Sequence, residues 1–446
     1  MQMKVYIFLL AGLLVGPAVL GQPGRYDPAG LYPVDSVKAD LRFLQRKLEA
    51  MHPGLYRYEK PAGLRALFDS LYRVIDRPLS GQSFLSLLEL VAARIRNGHT
   101  MILPGAAAME YYGTRGRSLP LLVVSAQGRS YVLENNSADS GIAAGLEVVS
   151  INGVAAGEVR RQLLMRSIRD GYNETYPTWL LDHYFAAYYR FCFGEPEEFL
   201  LELRGKSGVV FQKRIRALTR DSVTYYRALR YGQDHPVVEA GLGIVARRKD
   251  DGQTAILKIS SFDPDILQSR YQQDYRRAMD SVFLWLERMR ITRLVVDLRD
   301  NQGGDFPPGR YLLAYLLATP ASFLFGGPEA RVIRPAAHRF AGKLVVLVNG
   351  GSFSSTAIVA AILEREKRAV FVGEETGGNK YLISGDPAEV LLPHTGISCS
   401  ISTVIFRIGK GVNNGHGVMP EYRVVPGIED RLARRDPALE KAIAVP

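Results

Sequence analysis

Only two cysteines, Cys192 and Cys399, occur in the 446 residues. A chain this long can bury a core without disulfide staples, so both are expected as free thiols. Histidine is equally sparse, with seven scattered along the chain, and no His-Glu-x-x-His or clustered zinc spacing occurs. A structural metal is therefore not expected, nor is a cofactor. Beyond the first twenty residues no apolar run reaches eighteen, which excludes a later membrane-spanning helix. Internal repeats and low-complexity tracts are also missing. The net charge of +11 is spread out with no basic block, and no aromatic-basic motif accompanies it. It reads as a soluble basic surface, not a nucleic-acid-binding one.

The first 21 residues carry one charge, Lys4, followed by an apolar stretch from Val5 to Leu20 that Pro17 interrupts. Val19-Leu20-Gly21 is a small-residue exit, so the segment reads as a secretory signal peptide cleaved after Gly21. The protein is expected to be exported, periplasmic or extracellular, with no stable membrane span.

Three apolar stripes at helical spacing follow: Leu41, Leu44, Leu48 and Met51; Leu64, Leu67, Leu71 and Val74; Phe84, Leu87, Leu88, Val91 and Ile95. They predict an N-terminal helical domain over 34–110. Over 115–220 the pattern turns to strands, with Leu121–Val124 and Tyr131–Leu133 around Gln127-Gly128. Ser140–Gly153 then reads as a short helix stopped at Gly145, a strand and an Asn-Gly turn. That stretch resembles a PDZ domain, with Glu147 near the place where the family has an Asp. Tyr172–Phe193 reads as a helical insertion. From Ala255 onward strand and helix alternate. Leu294–Leu298 and Leu344–Val348 are continuous apolar runs suited to a sheet covered on both faces, and one long helix is expected within 263–289. This makes 235–430 an expected α/β core.

Five polar turns interrupt these elements. Asp297-Leu-Arg-Asp-Asn-Gln-Gly-Gly304 follows a buried strand, where paired glycines can aim amide N–H groups into a cleft. Val348-Asn-Gly-Gly-Ser-Phe-Ser-Ser-Thr356 leads from a strand into a helix and leaves hydroxyls at its electropositive end. Asn97-Gly98-His99-Thr100 closes the third helical stripe. Val372-Gly-Glu-Glu-Thr-Gly-Gly-Asn-Lys380 and Asn413-Asn-Gly-His-Gly-Val-Met-Pro-Glu421 complete the set.

Together and in this order, these turns resemble the C-terminal processing peptidases and their tricorn-type relatives, over roughly Val34 to Val425. The resemblance implies an α/β fold: a crotonase-like core of ββα units, an N-terminal helical bundle and a PDZ-like β-rich domain. It implies a serine endopeptidase acting on a polypeptide, with Ser354 as nucleophile and an oxyanion hole drawn from the amides of Ser355 and of the Gly303-Gly304 pair. The processing branch uses a Lys as base, but Asn379 stands at that position and Lys380 falls one residue late. The tricorn-type branch uses a His, which His99 matches. Its orienting acid corresponds to Asn414, which carries no charge.

A serine hydroxyl needs a base, and imidazole has the suitable ordinary pKa of ~6.5. The reading therefore favours Ser354 with His99, oriented by Asn414, over Ser354 with Lys380. It expects activity to rise through roughly pH 6–7 as His99 loses its proton. A non-catalytic peptide- or apolar-ligand-binding protein on the same fold is the alternative. Capture of a substrate C-terminus by the PDZ-like region is open, as is the oligomeric state.

Overall fold

The structure, a computed structural model, describes residues 26–232 and 243–446. The expected export segment 1–21 and residues 235–242 lie outside the described residues. The N-terminal stripes form α1 (Val34–Met51), α2 (Pro61–Val74) and α3 (Gly81–Ile95). Pro61 opens α2 where its missing N–H costs nothing, and the Ser80 hydroxyl caps α3 by accepting from Ser83 N–H at 3.1 Å. Leu41, Leu44, Leu48, Leu64, Phe68, Leu71, Phe84, Leu88 and Val91 share one buried cluster. Each contributes about 1.5–3 kcal/mol of burial. The left-handed stop of α3 is Arg96, at φ 57°, one residue before the turn that closes the third stripe. The turn 97–100 then leads into β1 (Met101–Leu103) and α4 (Ala106–Thr114).

Strands β2 (Leu121–Ala126), β3 (Arg129–Asn135) and β4 (Glu147–Ile151) precede α5 (Ala156–Arg166) and α6 (Thr175–Phe193). Then come β5 (Glu198–Arg204), β6 (Val210–Arg216) and α7 (Arg220–Tyr231). The strands form an antiparallel sheet of order β6-β5-β4-β3-β2. Val132, Val148, Leu201 and Leu203 from the sheet pack with Leu163 of α5 and with Leu181 and Phe185 of α6. Asn152 and Gly153 both take positive φ (50° and 77°), the hairpin turn expected of Asn-Gly. The helix expected just before Gly145 does not form. Asn135 Nδ2 donates to the carbonyls of Asp139 (2.7 Å) and Ile142 (2.9 Å), and Asp139 Oδ1 accepts from Gly141 N–H, so this segment's backbone is committed to turns.

In the core, β7 (Ile244–Arg248) and β8 (Thr254–Ile259) are followed by α8 (Pro264–Tyr271) and α9 (Tyr275–Arg288). The single long helix expected within 263–289 is thus two. Gln272 turns left-handed at φ 54°, and Asp274 caps a new start by accepting from Arg277 N–H. Next are β9 (Arg293–Asp297), α10 (Phe306–Leu316), β10 (Lys343–Val348), α11 (Ser355–Arg365) and β11 (Val370–Gly373). The β12–β13 hairpin (Leu382–Leu391, Ser398–Arg407) and β14 (Tyr422–Arg423) complete it. The sheet order is β7-β8-β9-β10-β11-β14, parallel except that β7 runs antiparallel to β8.

Alternation of period two puts Leu294, Val296, Leu344, Val346 and Val348 against the α9–α11 face. Val295, Val345, Leu347 and Val372 lie against Ala438 and Ala442 of the C-terminal helix Pro437–Ala444. Burial on both faces explains the continuous apolar runs. This is the mixed α/β fold the sequence predicted. Strand β1 pairs with β13 (Met101↔Ser400, Ile102↔Cys399, Leu103↔Ser398), which stitches the end of the helical region onto the core. Both cysteines are free.

Candidate active site

Two turns at the carboxyl ends of β9 and β10 build the floor of the site, the edge of a parallel sheet where ligands commonly bind. They are cross-linked to each other. Asp300 N–H donates to Asn349 Oδ1, Asn349 Nδ2 to Asp300 Oδ1, and the Ser352 hydroxyl to the Leu298 carbonyl. Asn301 Oδ1 accepts from Gly303 N–H at 2.9 Å while its Nδ2 donates to the Ile259 carbonyl. The Asp-Leu-Arg part of the first turn is an anchor. Burial alone would raise the Asp297 carboxyl, yet Lys258 and Arg299 hold it well below the usual range, and Arg299 also clamps Asp436.

Ser354 sits between β10 and α11 at φ 54°, ψ −127°. An L-residue rarely adopts this conformation, which costs on the order of 1–3 kcal/mol. Gly303 explains how the two turns meet, since a Cβ there would stand 2.8 Å from Ser354 Cβ and 2.9 Å from Ser355 N. Its φ of +97° likewise suits glycine.

His99 is carried to Ser354 from 255 residues away, with Nε2 3.0 Å from Oγ. The Asn97 side chain accepts from His99 N–H at 2.9 Å. The imidazole stacks on Phe353 (ring centroids 4.7 Å apart), which stacks in turn on Tyr176 (4.2 Å). The pair is almost fully enclosed, at 2% exposure for Ser354 and 3% for His99. Burial pushes the His99 pKa down to about 3. The ring is therefore neutral at any ordinary pH, and the expected rise through pH 6–7 cannot come from this imidazole. For Nε2 to accept from the hydroxyl, the proton of the neutral ring must be on Nδ1.

His99 Nδ1 has no hydrogen-bond partner among the described residues. Asn414, expected to orient it, is exposed, and its Oδ1 accepts from His416 N–H at 3.1 Å. That assignment is corrected: Asn414 closes its own turn on the surface. Asn413 is the residue of this loop that faces inward, bonded to Tyr58 and Asn379. Lys380 is also displaced. Its Nζ pairs with Glu364 Oε1 at 3.0 Å, near the far end of α11 from Ser354. Ten residues of helix separate those ends by about 15 Å.

Of the expected oxyanion donors, Gly303 N–H is already consumed by Asn301. Gly304 N–H and Ser355 N–H have no partner among the described residues. Ser355 N–H also opens α11, where the helix dipole favours negative charge. The arrangement offers a hydroxyl, a neutral base and two free amides within one enclosure. Among the described residues, no group of three or more His, Cys, Asp or Glu is placed to hold a metal ion, and no helix is long and apolar enough to cross a membrane.

Sequence reasoning missed Asp170, Asn301, Phe353 and Tyr176. An Asn two residues before a Gly-Gly pair is a recognisable turn signal. The other three carry none, because their roles arise from contacts across the fold.

Residues 253–424 match the model of Peptidase family S41. The chain is 30% identical over 156 residues to a chloroplastic C-terminal processing peptidase of Tetradesmus obliquus, covering 34% of this chain and 32% of that protein. It is 28% identical over 148 residues to chloroplastic carboxyl-terminal-processing peptidase 1 of Arabidopsis thaliana, covering 31% and 29%. The chain thus matches about a third of the length of these curated relatives. The solved structure of mature CPAF superposes with a TM-score of 0.64 at 15% identity, over 90% of this chain and 94% of that one, which shows a shared fold.

Proposed function

Because residues 253–424 match the model of peptidase family S41, we propose that the protein is a serine peptidase in which Ser354 is the nucleophile and His99 its general base. One observation carries this reading, the 3.0 Å contact between His99 Nε2 and Ser354 Oγ inside an enclosed site. The hydroxyl proton passes to Nε2 as Oγ attacks the peptide carbonyl. The carbonyl oxygen becomes an oxyanion, which Ser355 N–H and Gly304 N–H stabilise. His99 returns the proton to the departing amine, leaving an acyl ester on Ser354. Water then hydrolyses the ester by the same proton path in reverse. Among the described residues no carboxylate sits on Nδ1, so the transient imidazolium is balanced mainly by the oxyanion forming beside it.

The substrate in this reading is a polypeptide, and the processing of carboxyl termini named for the curated relatives makes cleavage near a C-terminus the first case to try. Residues 1–21 direct its export. With so little exposure at Ser354, a polypeptide reaches the hydroxyl only after the surrounding segments part. The test is labelling by a small fluorophosphonate, scored beside hydrolysis of an unfolded protein substrate. Both signals are expected in the wild type and absent in Ser354→Ala. Hydrolysis that survives in Ser354→Ala overturns the assignment. Ligand binding with neither signal favours the non-catalytic alternative.

A further inference from the structure

The segment between α5 and α6 bonds to both halves of the site. Gly171 N–H donates to the Arg96 carbonyl at the end of α3, and Tyr172 N–H donates to the Gly415 carbonyl at 2.7 Å. Asn173 Nδ2 donates to the Thr376 carbonyl and the Thr175 hydroxyl to the Glu375 carbonyl, both at 2.9 Å. Asp170 stands at the centre. Its Oδ1 accepts from Gly98 N–H at 2.7 Å, and its Oδ2 lies 3.4 Å from Asn379 N. Gly98 belongs to the turn that carries His99 and packs on Phe353, where a Cβ would stand 2.6 Å from Cζ. Gly378, just before Asn379, packs on the start of α11, where a Cβ would stand 3.4 Å from Ser354 N and 2.6 Å from Ala357 Cβ. One carboxylate therefore holds the backbone of the base's turn with one oxygen and the backbone behind the nucleophile with the other.

We infer that Asp170, in its ionised form, is the positioning residue that sets His99 against Ser354. This rests on the serine-peptidase reading above. A carboxylate accepts from both donors at full strength. A protonated acid accepts weakly through its hydroxyl oxygen, and an Asn side chain puts an NH₂ donor in place of one acceptor. Asp170 is 6% exposed, and the two peptide N–H groups are its only hydrogen-bond donors among the described residues.

Solvation loss raises the Asp170 carboxyl to about 6, with the amides of Gly98 and Asn379 and the charge of Arg57 opposing the rise. The titratable and charged groups around it are Arg57 and Tyr58 after α1, Arg96 and His99 after α3, and Tyr172 and Tyr176 on its own side. The His416–Glu375 pair lies in the neighbouring core turns. A cavity of about 10 Å³, close to the least that holds one water, is lined by Asp170, Tyr58, Asn97 and Ser384. The two groups thus titrate in separate windows. Asp170 loses its negative charge as pH falls through about 6, whereas His99 stays neutral to about 3. The acid limb of activity belongs to Asp170.

The sign for stability is opposite. A carboxyl raised on folding is destabilising when ionised, so protonation relieves the fold while it loosens the site. Relative to Asp170→Asn, which shares the His99 contribution, the wild type should therefore gain stability below pH 6 while it loses activity, which a merely structural role would not produce.

The experiment is fluorophosphonate labelling of the full chain between pH 4.5 and 8, for wild type and Asp170→Asn, with thermal melts beside it. The wild-type labelling rate is expected to rise with a midpoint near pH 6. Asp170→Asn is expected to lose that midpoint and, at pH 7.5, to label about a hundredfold more slowly, the size of effect a misplacement of about 1 Å produces. Its melting temperature should be no lower than that of the wild type. On a peptide substrate the loss should fall on kcat, with KM little changed. A variant that labels like the wild type overturns the inference, and so does a wild-type profile flat through pH 6. If Asp170→Asn fails to fold, the wild-type profile decides by the same criterion. A wild type that never labels overturns the serine-peptidase reading itself, and this inference with it, whereas a labelled wild type without the midpoint sinks only the role of Asp170.

Discussion

Replacing His99 with alanine separates the two candidate bases most sharply. The substitution removes the imidazole 3.0 Å from Ser354 Oγ and leaves the amides of Ser355 and Gly304, unpartnered among the described residues, in place. Proton transfer by a positioned side chain is worth roughly 10²–10⁴ in rate, or about 3–5.5 kcal/mol at 1.36 kcal/mol per decade. A thousandfold fall in kcat on a short peptide is therefore the central expectation, with the residual rate supplied by the oxyanion donors. Lys380→Ala is the matched control. It removes an ion pair with Glu364 whose partners are 19% and 32% exposed, near the far end of α11. A pair of that kind contributes about 0.2–1 kcal/mol to stability, and its loss should leave kcat within about twofold. The assay is steady-state hydrolysis with both variants checked by thermal melting. An active His99→Ala beside an inactive, folded Lys380→Ala would refute the reasoning and establish lysine as the base.

Five further outcomes follow from the same geometry. Ser354→Ala should be inactive yet as stable as the wild type. Ser354→Gly should also be inactive but melt higher, because relief of the φ 54° conformation returns on the order of 1–3 kcal/mol; a lower melting temperature would contradict the strain. Ser355→Ala should retain most activity, since that residue contributes its amide and its hydroxyl has no partner among the described residues. Gly98→Ala should lose activity by about a hundredfold, because its Cβ would stand 2.6 Å from Phe353 Cζ and must shift the ring on which His99 stacks; unchanged kinetics would show the packing to be loose. Finally, the unfolded chain binds a proton at residue 99 below about pH 6.5, while the folded one resists until about 3. This single group therefore contributes stability that falls as pH drops through that window, by about 3 kcal/mol at pH 4. His99→Gln should lose less stability than the wild type between pH 7 and 4, measured by chemical denaturation.

Local chemistry was enough to reveal much of this protein. The Leu and Val stripes of α1–α3 carry their own period, and the runs Leu294–Val296 and Leu344–Val348 announce strands covered on both sides. The Gly-Gly and Ser-x-Ser turns point to Ser354 because a strand, a tight turn and a helix start lie within a few residues of each other. Where short-range side-chain bonds compete with periodicity, the sequence misled. Asn135 withdraws carbonyls from the helix expected before Gly145, and a left-handed Gln272 splits the helix expected within 263–289. The site itself was decided by distant contacts. Pairing of β1 with β13 and the bracket at Asp170 bring His99 to a serine 255 residues away, whereas neither Asn414 nor Lys380, for all their proximity in the motif, reaches it. Pattern along a chain records which face of an element is buried. It does not record which turns from separate elements will share one enclosure, because that depends on how the elements dock; nor does it reveal how far that enclosure shifts a proton, because the shift depends on the water excluded from it.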